Sequence, residues 1–412
     1  MKVCILTLGC KVNQSESAVI EGNLKKSGCS SVKLSENPDY CVINSCTVTA
    51  KSDYQSRQLI RRAVRSGAKV IVTGCYSQVM TDDIRKIDGI FDIVDSANKL
   101  SIINIITDNI SDITLNHSNR ARPYLKVQDG CNSSCSYCIV PRARGRSRSL
   151  EVSEIIKQAG LFEELGYNEI VLTGIHLGSY GHDLTPKVNL SFLIKSLLLR
   201  TKIHRFRLSS IEVNEVDGEI ADLLREERIC KHVHIPLQSG DDTTLRLMNR
   251  MYTSKRYACV LEKILDKVPD IAIWTDLMVG FPEEGEKEFL NTKNFVDSLP
   301  ISYIHIFPYS ARPGTSACEM RLQNSPRVKK ERLNIMRSID TKKRRTYISS
   351  QVNKTLDVII EEWCEDGRWV GTSSNYVKVE APSKGHCRGD HVYVRVSGVV
   401  GEVLKGDIVQ KP

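Results

Sequence analysis

An α/β architecture in three parts is what this 412-residue sequence predicts, and three observations predict it. Over the first hundred residues, short runs rich in Val, Ile and Leu alternate with helical stretches, as in a small domain built on a parallel sheet. From Pro123 the alternation resumes on a larger scale, with six strand–helix units to about Tyr309, which suits a complete or partial (β/α) barrel. After a basic helical stretch come short alternating strands with glycine turns, which suggest a small OB-like β-barrel. The expected boundaries are 1–106 for the N-terminal parallel-sheet domain, 122–340 for the partial barrel and 346–412 for the C-terminal barrel.

Taken in order, residues 2–8, 41–44 and 69–73 read as strands buried on both faces, with helices near 14–27 and 52–66 and another after Thr81. Residues 107–121 are polar and poor in periodicity, and read as a linker. Barrel strands are expected at 124–128, 169–173, 203–209, 232–236, 271–276 and 303–307, with amphipathic segments at 151–165, 254–267 and 285–297. Chemistry in such a barrel sits at the carboxyl ends of the strands. Residues 325–348 form the basic helix, and strands at 355–361, 368–372, 375–380 and 391–397 complete the chain.

A hydrophobic fraction of 41% and a charged fraction of 26% exclude a disordered chain. No stretch approaches the roughly 18 uninterrupted apolar residues of a membrane span. The apolar start of the chain is too short for a signal peptide, because Lys11, Asn13 and Gln14 follow at once. A cytoplasmic protein without a membrane partner is the expectation. In that reducing compartment fourteen cysteines gain weight as metal or redox groups. The net charge of +9 fits a nucleic-acid partner, although many metabolic enzymes are as basic.

Two cysteine sets carry the chemistry. Cys131, Cys135 and Cys138 lie within eight residues, in Asp129-Gly130-Cys-Asn-Ser-Ser-Cys-Ser-Tyr-Cys. Soft thiolates so spaced favour zinc or an iron–sulfur cluster. A closed zinc site needs a fourth ligand, and none lies nearby in sequence, whereas three ligands on a four-iron cubane leave one iron open. Cys10, Cys46 and Cys75 each end an expected strand, in Leu8-Gly9-Cys10, Asn44-Ser45-Cys46 and Gly74-Cys75. The carboxyl ends of parallel strands line a ligand crevice, so three thiols delivered there can meet one metal centre. Glycine before Cys10 and Cys75 permits close backbone approach. Small buried hydrophobes are the alternative for these three, and that reading suffices for Cys4, Cys29, Cys41, Cys230, Cys259, Cys318, Cys364 and Cys387.

The run Cys131-x3-Cys135-x2-Cys138 is the radical-SAM motif. Together with Leu8-Gly9-Cys10-Lys11-Val12-Asn13-Gln14, Asn44-Ser45-Cys46-Thr47 and Gly74-Cys75-Tyr76, it resembles the radical-SAM methylthiotransferase family over essentially the whole chain. The resemblance implies a cluster domain, a radical-SAM barrel and a TRAM domain of OB-like fold. It implies two [4Fe-4S] clusters: one on Cys131, Cys135 and Cys138 that binds and reductively cleaves S-adenosyl-L-methionine, and one on Cys10, Cys46 and Cys75 that delivers sulfur. A second S-adenosylmethionine supplies the methyl group, and an external donor supplies electrons; the sulfur source is not specified. Thr173 and Gly174, in Leu172-Thr173-Gly174-Ile175-His176, match the segment that contacts the methionine part of the cofactor. Ser210 and Glu212 fall where the ribose binds, and Gln238 lies at a later strand end. No side chain is assigned as an acid or base, and His176, His232 and His234, which core or loop packing would explain, are assigned no catalytic role.

Within the family, Leu-Gly-Cys-Lys-Val-Asn-Gln, Gln-Asp-Gly-Cys-Asn and His-Ile-Phe-Pro-Tyr-Ser resemble the branch that methylthiolates N6-threonylcarbamoyladenosine at position 37 of tRNA, in the anticodon stem-loop. Ser45, Ser134 and Glu283 depart from the usual threonine, aromatic and glycine, and none removes a ligand. Three basic groups offer phosphate contacts: Arg142, Arg144, Arg146 and Arg148, which an extended stretch would place on one face; Arg57, Arg61, Arg62 and Arg65; and the 327–345 helix. Trp363, Trp369 and Tyr376 suit either RNA stacking or a barrel core. The alternatives are action on isopentenyladenosine or a ribosomal-protein aspartate, or a non-catalytic iron–sulfur RNA-binding protein.

Overall fold

The computed structural model describes residues 1–107, 120–364, 367–383 and 385–411; most of the linker expected at 107–121 lies outside them. The first sheet is wholly parallel: β1 (Lys2–Thr7), β2 (Ser30–Ser31), β3 (Tyr40–Ser45), β4 (Lys69–Gly74) and β5 (Ile90–Ile93), in the order β2-β1-β3-β4-β5. Cys41, Val42 and Ile43 are fully buried, as are Val70, Ile71 and Val72, so consecutive apolar residues do mark strands covered on both faces. Cys4 and Cys41 pair across β1 and β3 as small buried groups. The sequence reading missed β2 and β5, the short edge strands, where few apolar residues are needed.

The middle of the chain forms two three-stranded parallel sheets. β6 (Tyr124–Lys126) continues into a short antiparallel pair, β7 (Gln128–Asp129) and β8 (Arg148–Ser149). β9 (Glu169–Thr173) and β10 (Arg205–Leu208) complete the first sheet, and β11 (His232–His234), β12 (Ala272–Val279) and β13 (Tyr303–Pro308) make the second. Bridges from Phe206 to Ile229 and from Ser210 to His234 join the two into one curved wall. β6 and β13 are its unpaired edges, so the barrel is partial. Ile170, Leu172, Phe206, Leu208, Ile273 and Leu277 face the helices in one apolar core. Period-two alternation therefore turns Glu169, Arg205, Arg207 and Asp276 into the lumen.

The C-terminal strands β14 (Thr355–Trp363), β15 (Arg368–Ser373), β16 (Lys378–Pro382), β17 (His391–Val400) and β18 (Val403–Val409) close a barrel in the order β14-β15-β16-β18-β17. Trp369 is core here, while Trp363 is 49% exposed. The strand expected at 375–380 starts later, at Lys378, because Tyr376 takes a left-handed backbone (φ 68°) in the preceding turn. β18 was missed, its glycine and charges diluting the alternation.

This barrel plugs the amino-terminal end of the larger one. Arg205 donates to the Thr372 and Asp357 carbonyls at 2.9 Å, and Arg207 donates to those of Ser373 (2.9 Å) and Ser374 (3.0 Å). Both guanidiniums also hold the fully buried Glu169, at 2.6 and 2.7 Å, and Arg122 adds a third pairing at 3.3 Å. Burial alone would raise the Glu169 carboxyl, but Arg207, Arg205 and Arg122 outweigh it and hold it well below the usual carboxylate range. Glu169→Gln should therefore cost about 3–5 kcal/mol in chemical denaturation. A depressed carboxyl stabilises above its unfolded pKa of about 4.3 and loses that contribution as pH falls. The stability of the unaltered protein should thus drop on acidification by a component missing from the Gln variant.

Candidate active site

The N-terminal triad stands at the carboxyl edge of the first sheet, whose order reverses between β1 and β3, the place where open α/β sheets bind ligands. Cys10 follows β1 and caps the helix Lys11–Lys26; Cys46 follows β3; Cys75 follows β4 and starts the helix Cys75–Val79. The three thiols lie within electrostatic range of one another. Gly9 has φ 104°, and a Cβ there would sit 3.0 Å from Cys46 Sγ. Gly74 has φ 99°, and its Cβ would meet the Ser45 carbonyl at 2.4 Å. Both glycines are thus required by close approach. Burial raises the Cys46 and Cys75 thiols, while Arg144 and Lys99 pull Cys75 back.

The second triad sits on a loop over the carboxyl end of the larger barrel. Cys131 Sγ accepts from the Ser133 amide at 3.3 Å and lies 3.5 Å from His176 Nδ1, at the end of β9. Arg250 donates to Cys135 Sγ at 3.3 Å and pairs with Glu212. Burial pushes the Cys138 thiol up to about 12, with Cys135 and Cys131 adding to it. Burial opposes protonation of His176, but Cys131 and Glu215, the latter 2.6 Å away, carry it up to about 10. All fourteen cysteines are free, so neither triad is spent on disulfides.

The N-terminal domain meets the partial barrel on both sides of the seam between β6 and β13. Ser15 donates to the Tyr124 carbonyl at 3.0 Å on one side, and the Ala50 amide donates to Ser310 Oγ at 3.0 Å on the other. Asp53 pairs with Arg312 beyond β13. Arg144 spans the junction, binding Glu16 at 3.0 Å, Asp129 at 2.8 Å and Asn13, within electrostatic range of the Cys75 thiol. Inside the lumen Ser210 Oγ lies 2.6 Å from His234 Nδ1, and Asp276 is shared by His234 at 3.3 Å and His305 at 3.1 Å.

Residues 125–296 match the Radical SAM superfamily, and residues 2–95 match the Uncharacterized protein family UPF0004. A threonylcarbamoyladenosine tRNA methylthiotransferase MtaB of Bacillus subtilis is 36% identical, with 99% of this chain and 94% of that protein covered. The chain belongs to the radical-SAM methylthiotransferase family. The MtaB of Aquifex aeolicus is also 36% identical, over 92% of this chain and 96% of that one. A tRNA-2-methylthio-N(6)-dimethylallyladenosine synthase of Thermodesulfovibrio yellowstonii is 29% identical over 99% and 98%. Among solved structures, the radical S-adenosylmethionine methyltransferase TsrM from Kitasatospora setae shares the fold, with a TM-score of 0.58, 14% identity and 77% of each chain covered.

In this methylthiotransferase Cys10, Cys46 and Cys75 follow three neighbouring parallel strands, and Cys131, Cys135 and Cys138 share one loop. Gly174 packs on Gln128, whose Oε1 would lie 2.8 Å from a Cβ there, and Thr173 is buried at the end of β9. Gln238 has φ 64° and is buried with its side-chain oxygen unpartnered; the Ser209 hydroxyl is likewise an orphan. Glu212 faces Arg250, and Ser210 faces His234. Glu283, in place of the usual glycine, takes φ 63° and compensates by exchanging hydrogen bonds with Leu322 at 2.9 and 3.0 Å.

One expectation is corrected. Arg142, Arg144, Arg146 and Arg148 do not share an extended face, because Val140–Arg144 is helical and turns Arg144 inward, 4% exposed. Arg144, Arg250 and the His176–Cys131 contact were missed, since only the fold brings them to the thiols. The geometry predicts separable sites: Cys75→Ala should remove the iron bound by the N-terminal triad and Cys138→Ala that of the central one. Iron analysis and Mössbauer spectra should show about half the iron of the unaltered protein in each variant.

Proposed function

We propose that the chain converts N6-threonylcarbamoyladenosine at position 37 of tRNA to its 2-methylthio derivative. What supports this reading is the pair of unbridged cysteine triads, with Arg144 spanning the junction between their domains, in a chain so similar to MtaB proteins. Cys131, Cys135 and Cys138 hold one [4Fe-4S] cluster, and Cys10, Cys46 and Cys75 hold the other. When bound, the clusters and S-adenosylmethionine supply radical C–H activation, sulfur and the methyl group. Thr173, Gly174, Ser210, Glu212 and Gln238 orient the S-adenosylmethionine, and the plug of the C-terminal barrel with the N-terminal domain excludes water from the lumen.

The segments 1–106, 122–340 and 346–412 serve as sulfur-delivering, radical-generating and RNA-binding units. Exposed Arg61, Arg62 and Arg65, with Arg327, Arg337 and Arg345, offer phosphate contacts to the anticodon stem-loop. Arg332 is removed from that surface, being buried on Glu284 at 2.6 Å. No helix among the described residues is long and apolar enough to cross a membrane, which accords with a cytoplasmic enzyme using external donors of electrons and sulfur.

Mass spectrometry of tRNA nucleosides from a deletion strain should show loss of 2-methylthio-N6-threonylcarbamoyladenosine and build-up of its precursor. An unchanged nucleoside profile sinks the substrate assignment. In purified, anaerobically reconstituted protein, Cys46→Ala should stop methylthiolation yet keep reductive cleavage of S-adenosylmethionine.

A further inference from the structure

Lys11 follows the thiol-bearing Cys10 and is half-buried. It starts the helix Lys11–Lys26, one turn before Ser15, whose hydroxyl bonds the Tyr124 carbonyl of β6. The groups within electrostatic range of its amine include Tyr376, Arg207, Arg122 and Glu169, which meet at the floor of the larger barrel. Its charge is also felt by His232, whose two buried ring nitrogens have no partner and whose ring stacks on Tyr376 at 4.7 Å. The lysine therefore stands where the N-terminal domain meets the edge of the larger barrel, next to a cysteine of the first triad and within electrostatic range of the barrel's charged floor.

The floor guanidiniums are already committed. Arg207 holds Glu169 and two carbonyls, and Arg122 is divided between Glu169 at 3.3 Å and Glu361 at 2.7 Å. Lys11 alone of these cations has no hydrogen bond or ion pair among the described residues. An ammonium so placed is matched to an anion that arrives with the substrate, since an ionised carboxylate leaving water needs a counter-charge.

We propose that Lys11 is the specificity-determining residue of the lumen, its ammonium taking the carboxylate of the threonylcarbamoyl group on the target adenosine. This rests on the substrate reading above. C2 and C6 of adenine flank N1, so a base presenting C2 to the triads carries its N6 substituent inside the same lumen. The relative from Thermodesulfovibrio yellowstonii is named for dimethylallyladenosine, whose N6 substituent is uncharged. A single cation at the N6 end separates the two substrate classes, because it is left unpaired by the apolar group.

The test uses the full chain with both clusters reconstituted and two stem-loop RNAs, one with N6-threonylcarbamoyladenosine and one with its threonine carboxylate as the primary amide. The unaltered protein should bind the acid about 10- to 100-fold more tightly than the amide by fluorescence anisotropy. Lys11→Met should abolish that preference at unchanged iron content, and Lys11→Arg should restore part of it. The inference is overturned if the unaltered protein methylthiolates the acid but binds both RNAs equally, a comparison that needs no variant, or if Lys11→Met keeps the preference. Failure of the unaltered protein to methylthiolate the acid RNA, with both clusters present, overturns the substrate reading itself and the role of Lys11 with it.

Discussion

Everything distinctive about this molecule depends on a barrel that does not close. Six strands leave β6 and β13 as free edges, and unpaired edges next to a polar lumen must be covered. The N-terminal domain covers them with ion pairs rather than strands. Glu16 receives Lys99, Lys126 at 3.0 Å and Arg144 at 3.0 Å. Burial by itself would raise the Glu16 carboxyl, but these three cations win and hold it far below the usual range. A buried carboxylate held this way fixes orientation, because no small rotation of the domain keeps all three partners.

That seal also sets the relation between the two cysteine triads. Cys138 precedes the helix Val140–Arg144, and Cys75 begins the helix Cys75–Val79; the charge of Arg144, at the end of the former, lowers the Cys75 thiol. The second constraint lies at the other end of the lumen, where Glu169 and its arginines bolt the C-terminal barrel to the first turns of β9 and β10. Two buried carboxylates, Glu16 and Glu169, thus hold the outer domains on the middle one. Both are glutamates surrounded by three cations, and both leave the chemistry itself to the space between.

Much of this was legible in the sequence. The long buried strands showed as apolar runs, and Gly9 and Gly74 announced close approaches that the structure requires. The cysteines proposed as cluster ligands stood out because ligands on one metal centre must be spaced to reach it. Partners across domains were not. Nothing in Arg142-Ala143-Arg144-Gly145-Arg146 tells which arginine turns inward; that depends on Glu16, more than a hundred residues earlier. Arg250 gives no local sign of reaching Cys135, and the short edge strands β2 and β5 lack the pattern that burial on two faces imposes.

Periodicity also distinguishes the sheet that holds a framework from the one that encloses a site. β3 and β4 are apolar in consecutive positions, since helices cover both faces. β10 alternates, Arg205 and Arg207 against Phe206 and Leu208, and β11 carries His232 and His234 about Val233. A barrel whose function is packing fills its centre with branched apolar side chains. Charged inner faces instead cost desolvation energy that only paired groups, or an arriving ligand, can offset. Among the described residues Arg122, Arg205 and Arg207 are all paired at this floor while Lys11 is not, and it is this asymmetry that the proposed role of Lys11 uses.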